Sequence, residues 1–382
     1  MGHRECSLEK MVSTERSQFD RSYWHGRRVL VTGHTGFKGS WLAIWLDQLG
    51  CKVTGLSLKP STDPALFEIG NISALCESHF VDIRNVKKVI GLVEKVQPEV
   101  VFHLAAQALV RQGYRDPINT FSTNTMGTAN ILEAIRSTSS VKAMVMVTTD
   151  KVYRNNACLK PYKEDDTLGG HDPYSASKAA SELIISSYSN AFLSAQGVAV
   201  ASARAGNVIG GGDWAAERLI PDAIRAWSDN QSLAVRHPES IRPWQHVLEP
   251  LHGYIILAQQ LASKLELAST FNFGPDFDEV ASVRRVIELA QHSWGDAQVT
   301  WHDSLSQLHE AGWLRLDSQK SRDELGVQPI WGIDEAVKRT MTWYRNQAQG
   351  ASPVALCKRD IKDYEVDMGK KMHKNLEEIE TC

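Results

Sequence analysis

Tyr174 and Lys178 stand four residues apart in PYSASK, a spacing that puts both on one face of a helix. A lysine ammonium there lowers the pKa of the neighbouring phenol, and the phenolate can take the proton from an alcohol as a hydride leaves. A Tyr-x-x-x-Lys pair alone arises by chance in many chains of this length. Here it opens a helix that follows the fifth expected strand, and Thr149 stands at the tip of that strand as its partner. The same strand, in MVMVTTDKVYRN, runs on into Asp150 and Lys151. Those two side chains can also move protons, although a second carboxylate would be the more obvious companion for the aspartate.

A second group of residues is suited to phosphate. VTGHTGFKG spaces Gly33, Gly36 and Gly39 three apart, between an apolar β-run and a helical pattern. A dinucleotide pyrophosphate must come close to a helix N-terminus, where unpaired N–H groups and the helix dipole favour anions and side chains would block the approach. The combination predicts a dinucleotide cofactor. An acidic residue at the end of the second strand would hold a ribose 2′-OH, but GLSLKPSTD has none before Asp63, so the strand end leaves NAD or NADP open. Lys59 there would suit a 2′-phosphate, or is a solvated surface lysine. Asp82 and Ile83, just past the third strand, are placed either for adenine contact or for a helix N-cap.

The elements that must position these groups alternate. RRVLVTG is a strand, FKGSWLAIWLDQLG an amphipathic helix with Trp41, Leu42, Trp45, Leu46 and Leu49 at helical spacing, and KVTGLSL a second strand. HFVDI, a helix from Val86 to Lys95, VVFHLAA, a helix from about Ile118 to Arg136, AMVMVTT, a helix from Tyr174 to Phe192, and VAVASARA continue the pattern. Such alternation predicts an α/β fold: a Rossmann-type doubly wound parallel sheet with a smaller C-terminal substrate-binding lobe. The boundaries expected are an N-terminal tail over 1–26, a cofactor-binding Rossmann domain over 27–205, a mainly substrate-binding lobe over 206–347 with room to return a strand or helix to the sheet, and a charged C-terminal tail or frayed helix over 348–382. There are no repeats or low-complexity segments.

The chain has 382 residues, 42% hydrophobic and 23% charged, with a formal net charge of -3. It is long enough to bury a large core, and it lacks the basic surface expected of a nucleic-acid or acidic-membrane binder. No apolar run reaches the roughly 20 residues that span a bilayer, and the polar N-terminus has no signal-peptide core, so a cytoplasmic protein is expected. MGHREC begins like a myristoylation site but has Cys6 where Ser or Thr is required. Six scattered cysteines without a C-x-x-C pair suggest neither disulfides nor a metal site.

Taken together, VTGHTGFKGSW, HLAAQALV, TTDKVY, PYSASK and RAGNVIGGGDW resemble the extended short-chain dehydrogenase/reductases, and within them the CDP-glucose 4,6-dehydratase family. The resemblance covers about Arg28 to Arg345. The glycines and the Tyr/Lys pair belong to the whole superfamily; GHTGFKGSW, TTDK and GGGDWA point to the CDP-glucose branch. It implies NAD as cofactor, contacted by Gly33, Thr35, Gly36, Phe37, Gly39, Asp82, Ile83, Leu104, Ala105, Ala106, Thr123, Tyr174 and Lys178, and catalysis by Thr149, Asp150, Lys151, Tyr174 and Lys178. The reaction implied converts CDP-glucose to CDP-4-dehydro-6-deoxy-D-glucose for deoxysugar biosynthesis such as that of lipopolysaccharide O-antigen. It oxidises C4, removes water across C5 and C6, and returns the hydride to C6.

The resemblance also gives Lys151 a role. In the dTDP-glucose and GDP-mannose relatives an Asp-Glu pair performs the elimination; here Lys151 stands where the glutamate would be. As a base it needs a neutral fraction, which burial and the nearby Lys178 cation would favour. Kept protonated, it would steady the developing C4 enolate while another group takes the proton. The bland reading is a surface lysine.

For the substrate, the resemblance implies diphosphate contacts at Asn207, Arg218 and Arg242 and sugar or nicotinamide contacts at Gln107 and Arg111. His103 reads as a satisfied core histidine. Relatives pair through two long helices flanking the sheet, which implies a homodimer or higher homo-oligomer. The competing readings are a sugar-nucleotide 4-epimerase or reductase, a dehydratase for another nucleotide hexose, and, from a different class, a non-catalytic dinucleotide-sensing scaffold. An epimerase has no need of Asp150 and Lys151 as an acid/base pair, and a silent scaffold would be expected to have lost Tyr174.

Overall fold

The computed structural model describes residues 19–155, 160–276, 279, 281–302 and 314–380. Most of the expected N-terminal tail, together with Cys6, Cys158 and Cys382, lies outside the described residues.

The strands are β1 (Arg28–Thr32), β2 (Lys52–Ser57), β3 (Glu77–Phe80), β4 (Val100–His103), β5 (Ala143–Val147), β6 (Ala199–Ala205), β7 (Val208–Ile209), β8 (Leu233–Arg236), β9 (Ile241–Arg242), β10 (Gln245–His246), β11 (Thr270–Phe273), β12 (Ala281–Ser282) and β13 (Val299–His302). Seven of them form one parallel sheet in the order β11-β6-β5-β4-β1-β2-β3. Strands covered on both faces should read as continuous apolar runs, and β4, β5 and β6 are buried at every position. The third strand lies earlier than HFVDI suggested, so Asp82 and Ile83 fall in the loop beyond it. The seventh strand, β11, comes from the second half of the chain and pairs with β6.

One face of the sheet carries the helices Val86–Val96, Gly127–Arg136 and Pro173–Tyr188 over a core that includes Leu30, Val101, Ile131, Met144 and Ile185. The other carries Phe37–Gln48 and Leu248–Leu261, in a larger core that runs unbroken from Trp24 to Tyr364.

Three expectations are corrected on that second face. The Phe37–Gln48 helix is not amphipathic: Gly39 through Leu46 are all buried. Its outer side is covered by a helix far along the chain, Pro353–Glu380, so of the expected tail or frayed helix the segment is a helix, and a packed one. Leu356, Cys357, Ile361 and Tyr364 form that helix's buried stripe, and hydrogen bonds from Trp45 Nε1 to Glu365 (2.9 Å) and from Lys358 Nζ to Asp47 (3.2 Å) flank it. The end of the N-terminal segment is likewise not a tail. Arg21–Trp24 is a short helix, Trp24 is fully buried against Phe102, and Arg21 bonds to Glu365.

Candidate active site

β1 delivers the chain to Gly33, whose φ of +81° suits a glycine and whose Cβ, if present, would lie 2.8 Å from the backbone nitrogen of Ala105. Gly36 caps the Phe37–Gln48 helix, and a Cβ there would meet only the Gly33 carbonyl, at 3.4 Å. The helix N-terminus is therefore bare toward the cavity described below, as a pyrophosphate requires. Thr35 Oγ1 pins the loop to the end of β2 through Ser57 Oγ (2.8 Å) and the Leu58 carbonyl (2.9 Å).

At the end of β5 the chain turns through Asp150–Val152. Thr149 Oγ1 donates to Asp150 Oδ1 (3.0 Å), and Lys151 Nζ lies 3.6 Å from the same oxygen. Asp150 is buried, and its Oδ2 has no hydrogen-bond partner. Lys151 keeps 31% of its side chain exposed, so the burial expected of it is absent. Thr149 also lies beside Tyr174.

Asp172 caps the Pro173–Tyr188 helix by accepting from Ser175 N (3.0 Å) and Ser175 Oγ (2.6 Å), which fixes Tyr174 in the first turn. Lys178 Nζ, one turn on, donates to the Val147 carbonyl (3.1 Å). The expected lowering of the Tyr174 phenol is not found. Burial pushes it up to about 12, against a downward pull from Thr149 and the Arg218 charge. Burial likewise moves Lys178 down to about 8, opposed by Glu182.

All of the candidate residues line one cavity of ≈ 1230 Å³. Gly127 makes room for Ile83, since a Cβ there would sit 2.4 Å from Ile83 Cδ1. Leu104, Ala105 and Ala106 carry the chain past the glycine loop, and Thr123 comes from a wide turn inside the long helical segment. Asp82 is ion-paired with Arg84, whose hydrogen bonds hold its carboxyl below the ordinary range. On the opposite wall Arg218 pairs with buried Asp213 at 2.8 Å, Arg111 lies 3.6 Å from Glu217, and Arg242 Nη1 donates to the Ile241 carbonyl. Asn207 Oδ1 is buried with no hydrogen-bond partner. Gln107 lines the cavity, but its amide is engaged by Leu109 and Thr120. His103 is the satisfied core histidine expected, bonded to Thr32 (2.7 Å) and Thr128 (3.3 Å), with burial moving it down to about 3.

Sequence reasoning missed Lys38. It lines the cavity 3.3 Å from Tyr254 Oη and is pushed down to about 7, by burial first and then by the Arg218 and Lys178 charges. The signal was available: a cation in the first turn of a helix opposes the dipole and calls for a compensating role. Among the described residues, no group of three or more His, Cys, Asp or Glu could hold a metal, and no helix is long and apolar enough to cross a membrane.

A family model described as GDP-mannose 4,6 dehydratase matches residues 30–340. The chain belongs to this dehydratase family. The CDP-glucose 4,6-dehydratase of Salmonella typhimurium is 45% identical over 351 residues, covering 90% of this chain and 98% of that protein. That likeness agrees with the branch indicated by the sequence motifs. Solved structures establish the Rossmann-type fold: dTDP-glucose 4,6-dehydratase from Bacillus anthracis, in complex with NAD, has a TM-score of 0.71 at 20% identity and covers 86% of this chain and 100% of its own. A UDP-glucose 4-epimerase from Thermotoga maritima fits as well, with a TM-score of 0.73 at 21% identity, covering 84% of this chain and 99% of its own. Backbone shape alone does not separate dehydratases from epimerases; the side chains at the end of β5 must.

Proposed function

We propose that this member of the 4,6-dehydratase family is a CDP-glucose 4,6-dehydratase, converting CDP-D-glucose to CDP-4-dehydro-6-deoxy-D-glucose and water. The observation that carries this reading is the Asp150–Lys151 pair, tied to Thr149 beside Tyr174. An epimerase or reductase needs Thr149, Tyr174 and Lys178 alone, whereas elimination of water needs one group to take a proton and another to give one. The 45% identical relative supports cytosine as the base.

The bare helix N-terminus, the glycine loop and the size of the cavity fit a dinucleotide, with Gly33, Thr35, Gly36, Phe37 and Gly39 at the pyrophosphate, Asp82 and Ile83 toward adenine, and Leu104–Ala106, Thr123, Tyr174 and Lys178 along the rest. NAD supplies the hydride acceptor for C4 and the hydride donor for C6. Tyr174 takes the C4 hydroxyl proton, oriented by Thr149, with Lys178 one turn along the same helix. Once C4 is a ketone the C5 proton is acidic. Lys151 as amine takes it, while Asp150 as acid protonates the departing C6 hydroxyl, which leaves as water. The Lys151 ammonium gives its proton back to C5 as the hydride returns to C6, and the proton that Tyr174 took from the C4 hydroxyl leaves to solvent while Asp150 takes one up; Lys151 Nζ lies 3.6 Å from Asp150 Oδ1. Arg218, Arg242 and Asn207 hold the diphosphate, with Arg111 and Gln107 on the sugar side.

We infer a homodimer or higher homo-oligomer, assembled through the outer faces of the helical segments on one side of the sheet. Ile118, Phe121, Met126, Leu183 and Phe192 are exposed there, and exposed apolar side chains are what such a contact would cover. Cytoplasmic residence is consistent with the free thiols of Cys51, Cys76 and Cys357.

The test is incubation of the purified protein with CDP-, dTDP-, GDP- and UDP-glucose. A 4-keto-6-deoxy product from the CDP sugar is expected. Faster turnover of another nucleotide sugar would reassign the base, and a C4 epimer would reassign the reaction.

A further inference from the structure

Behind the catalytic turn lies a buried polar network that the mechanism above does not use. Glu182, one turn beyond Lys178, accepts from Thr148 Oγ1 (2.5 Å), Ser202 Oγ (2.7 Å), Arg204 Nε (3.0 Å) and Arg204 Nη2 (3.0 Å). Arg204, on β6, turns its other nitrogen to Tyr153 Oη (2.8 Å) and to the Glu164 carbonyl (3.0 Å). The Tyr153 hydroxyl donates onward to Asn272 Oδ1 (2.7 Å), on β11, and Asn272 Nδ2 donates to the Tyr162 and Asp317 carbonyls, each at 3.0 Å. Glu182, Arg204, Tyr153 and Asn272 are all buried.

The ion pair grips the chain on both sides of Thr149-Asp150-Lys151. Glu182 holds Thr148 just before the triplet, and Arg204 holds Tyr153 just after it. Burying two charges costs desolvation that a well-packed apolar pair would avoid, so their presence calls for a role in geometry rather than stability. No side-chain nitrogen or oxygen of Glu182, Arg204, Tyr153 or Asn272 is buried without a hydrogen-bond partner, the condition under which a buried network is rigid. Tyr153 is further fixed by stacking on Tyr162, with centroids 5.0 Å apart and planes 11° from parallel, and by the Arg204 guanidinium 4.8 Å from its ring centroid.

Resting on the dehydratase reading, we propose that Tyr153, clamped by Arg204 and Asn272, is a positioning residue for the elimination step, setting the Asp150–Lys151 turn relative to the sugar. The oxidation step depends on Thr149, Tyr174 and Lys178. Those residues are held from the other side of the turn, by Thr148 on Glu182 and by the cap of the Pro173–Tyr188 helix. Loosening the Tyr153 end should therefore slow loss of water while leaving C4 oxidation in place. This also gives the returning strand β11 a function: it brings Asn272 to the Tyr153 hydroxyl.

The test is Y153F mixed with CDP-glucose, reading bound NADH absorbance, product formation and the exchange of the C5 proton with heavy water. Product formation should fall by about tenfold or more, the scale of a small misplacement at a reacting centre, with NADH accumulating and C5 exchange slowed in parallel. N272A removes the acceptor of the Tyr153 hydroxyl without touching Glu182, and should change the partition in the same direction; it decides the matter if Y153F does not fold. Loss of product without NADH accumulation, or an unchanged partition in a folded variant, would overturn the positioning role. A wild-type protein that makes no product from any nucleotide sugar would overturn the functional reading, and the positioning role with it.

Discussion

A Cβ on Gly39 would lie 2.1 Å from the carbonyl oxygen of Gly33, closer than any real contact, whereas one on Gly36 would meet the same oxygen at 3.4 Å. The two glycines therefore serve different ends. Gly39 lets the helix pack against the turn that precedes it, and Gly36 keeps the helix N-terminus bare toward the cavity. Gly39→Ala should lower thermal stability, while Gly36→Ala should melt like the parent yet bind NAD more weakly in a titration. Equal NAD affinity in the Gly36 variant would remove the loop from the cofactor site.

The C-terminal helix is expected to be part of the core. Ile361 is 1% exposed, and Ile361→Ala should destabilise the protein by roughly 2–5 kcal/mol in denaturant unfolding, the range for a large aliphatic side chain removed from a packed interior. A change under about 0.5 kcal/mol would return this segment to the status of a surface tail.

Acid should unfold the protein earlier than its carboxylates alone would require. Burial is the first cause that holds His34 and His252 at about 4 and His103 and His246 at about 3, below the ordinary 6.5. The unfolded chain takes up these protons near 6.5 and the folded protein does not, so the stability they contribute is lost as pH falls from 6.5 toward 3–4. Glu249, raised to about 7, and Asp360, raised to about 6, act in the opposite sense, their contribution being lost as pH rises through those values. The histidines outnumber them, so Tm should fall between pH 6.5 and 4.5, and His252→Phe should flatten the slope. A Tm that rises on acidification would contradict the assignment.

What could be read from the sequence follows the range of the interactions. β1 and β5 are apolar runs bounded by turns, and Gly33/Gly36/Gly39 and Tyr174/Lys178 are local spacings, so pattern and chemistry coincide within a few residues. The all-round burial of Phe37–Gln48 depends on a helix some three hundred residues away, whose stripe of Leu356, Cys357, Ile361 and Tyr364 is diluted by lysines and aspartates. The Glu182–Arg204–Tyr153–Asn272 network joins residues from three neighbouring strand ends and a helix, and no single stretch carries its pattern. Lys151 is a case in between: its place in the chain was legible, but its exposure is set by the shape of the cavity mouth.

Tyr174→Phe removes the phenol that takes the C4 hydroxyl proton. Turnover should fall by at least ~100-fold, the scale of general-base loss, while NAD binding persists because the glycine loop is untouched. Near-normal turnover would move the base elsewhere and undercut the dehydratase reading.

Lys151→Met separates the two halves of the reaction. Thr149, Tyr174 and Lys178 remain, so C4 oxidation should proceed, but the amine that takes the C5 proton, 3.6 Å from Asp150, is gone. Bound NADH absorbance should rise on mixing with CDP-glucose and decay slowly, and exchange of the C5 proton with heavy water should stop. In the parent protein, substrate carrying deuterium at C4 should give product carrying it at C6, without added cofactor. Exchange that survives in the variant at a reduced rate would make Lys151 an electrostatic support for the enolate and assign the base to another group. Full turnover without NADH accumulation would leave both proton transfers to Asp150, whose unpartnered Oδ2 would then have to serve C5 and the C6 hydroxyl in turn.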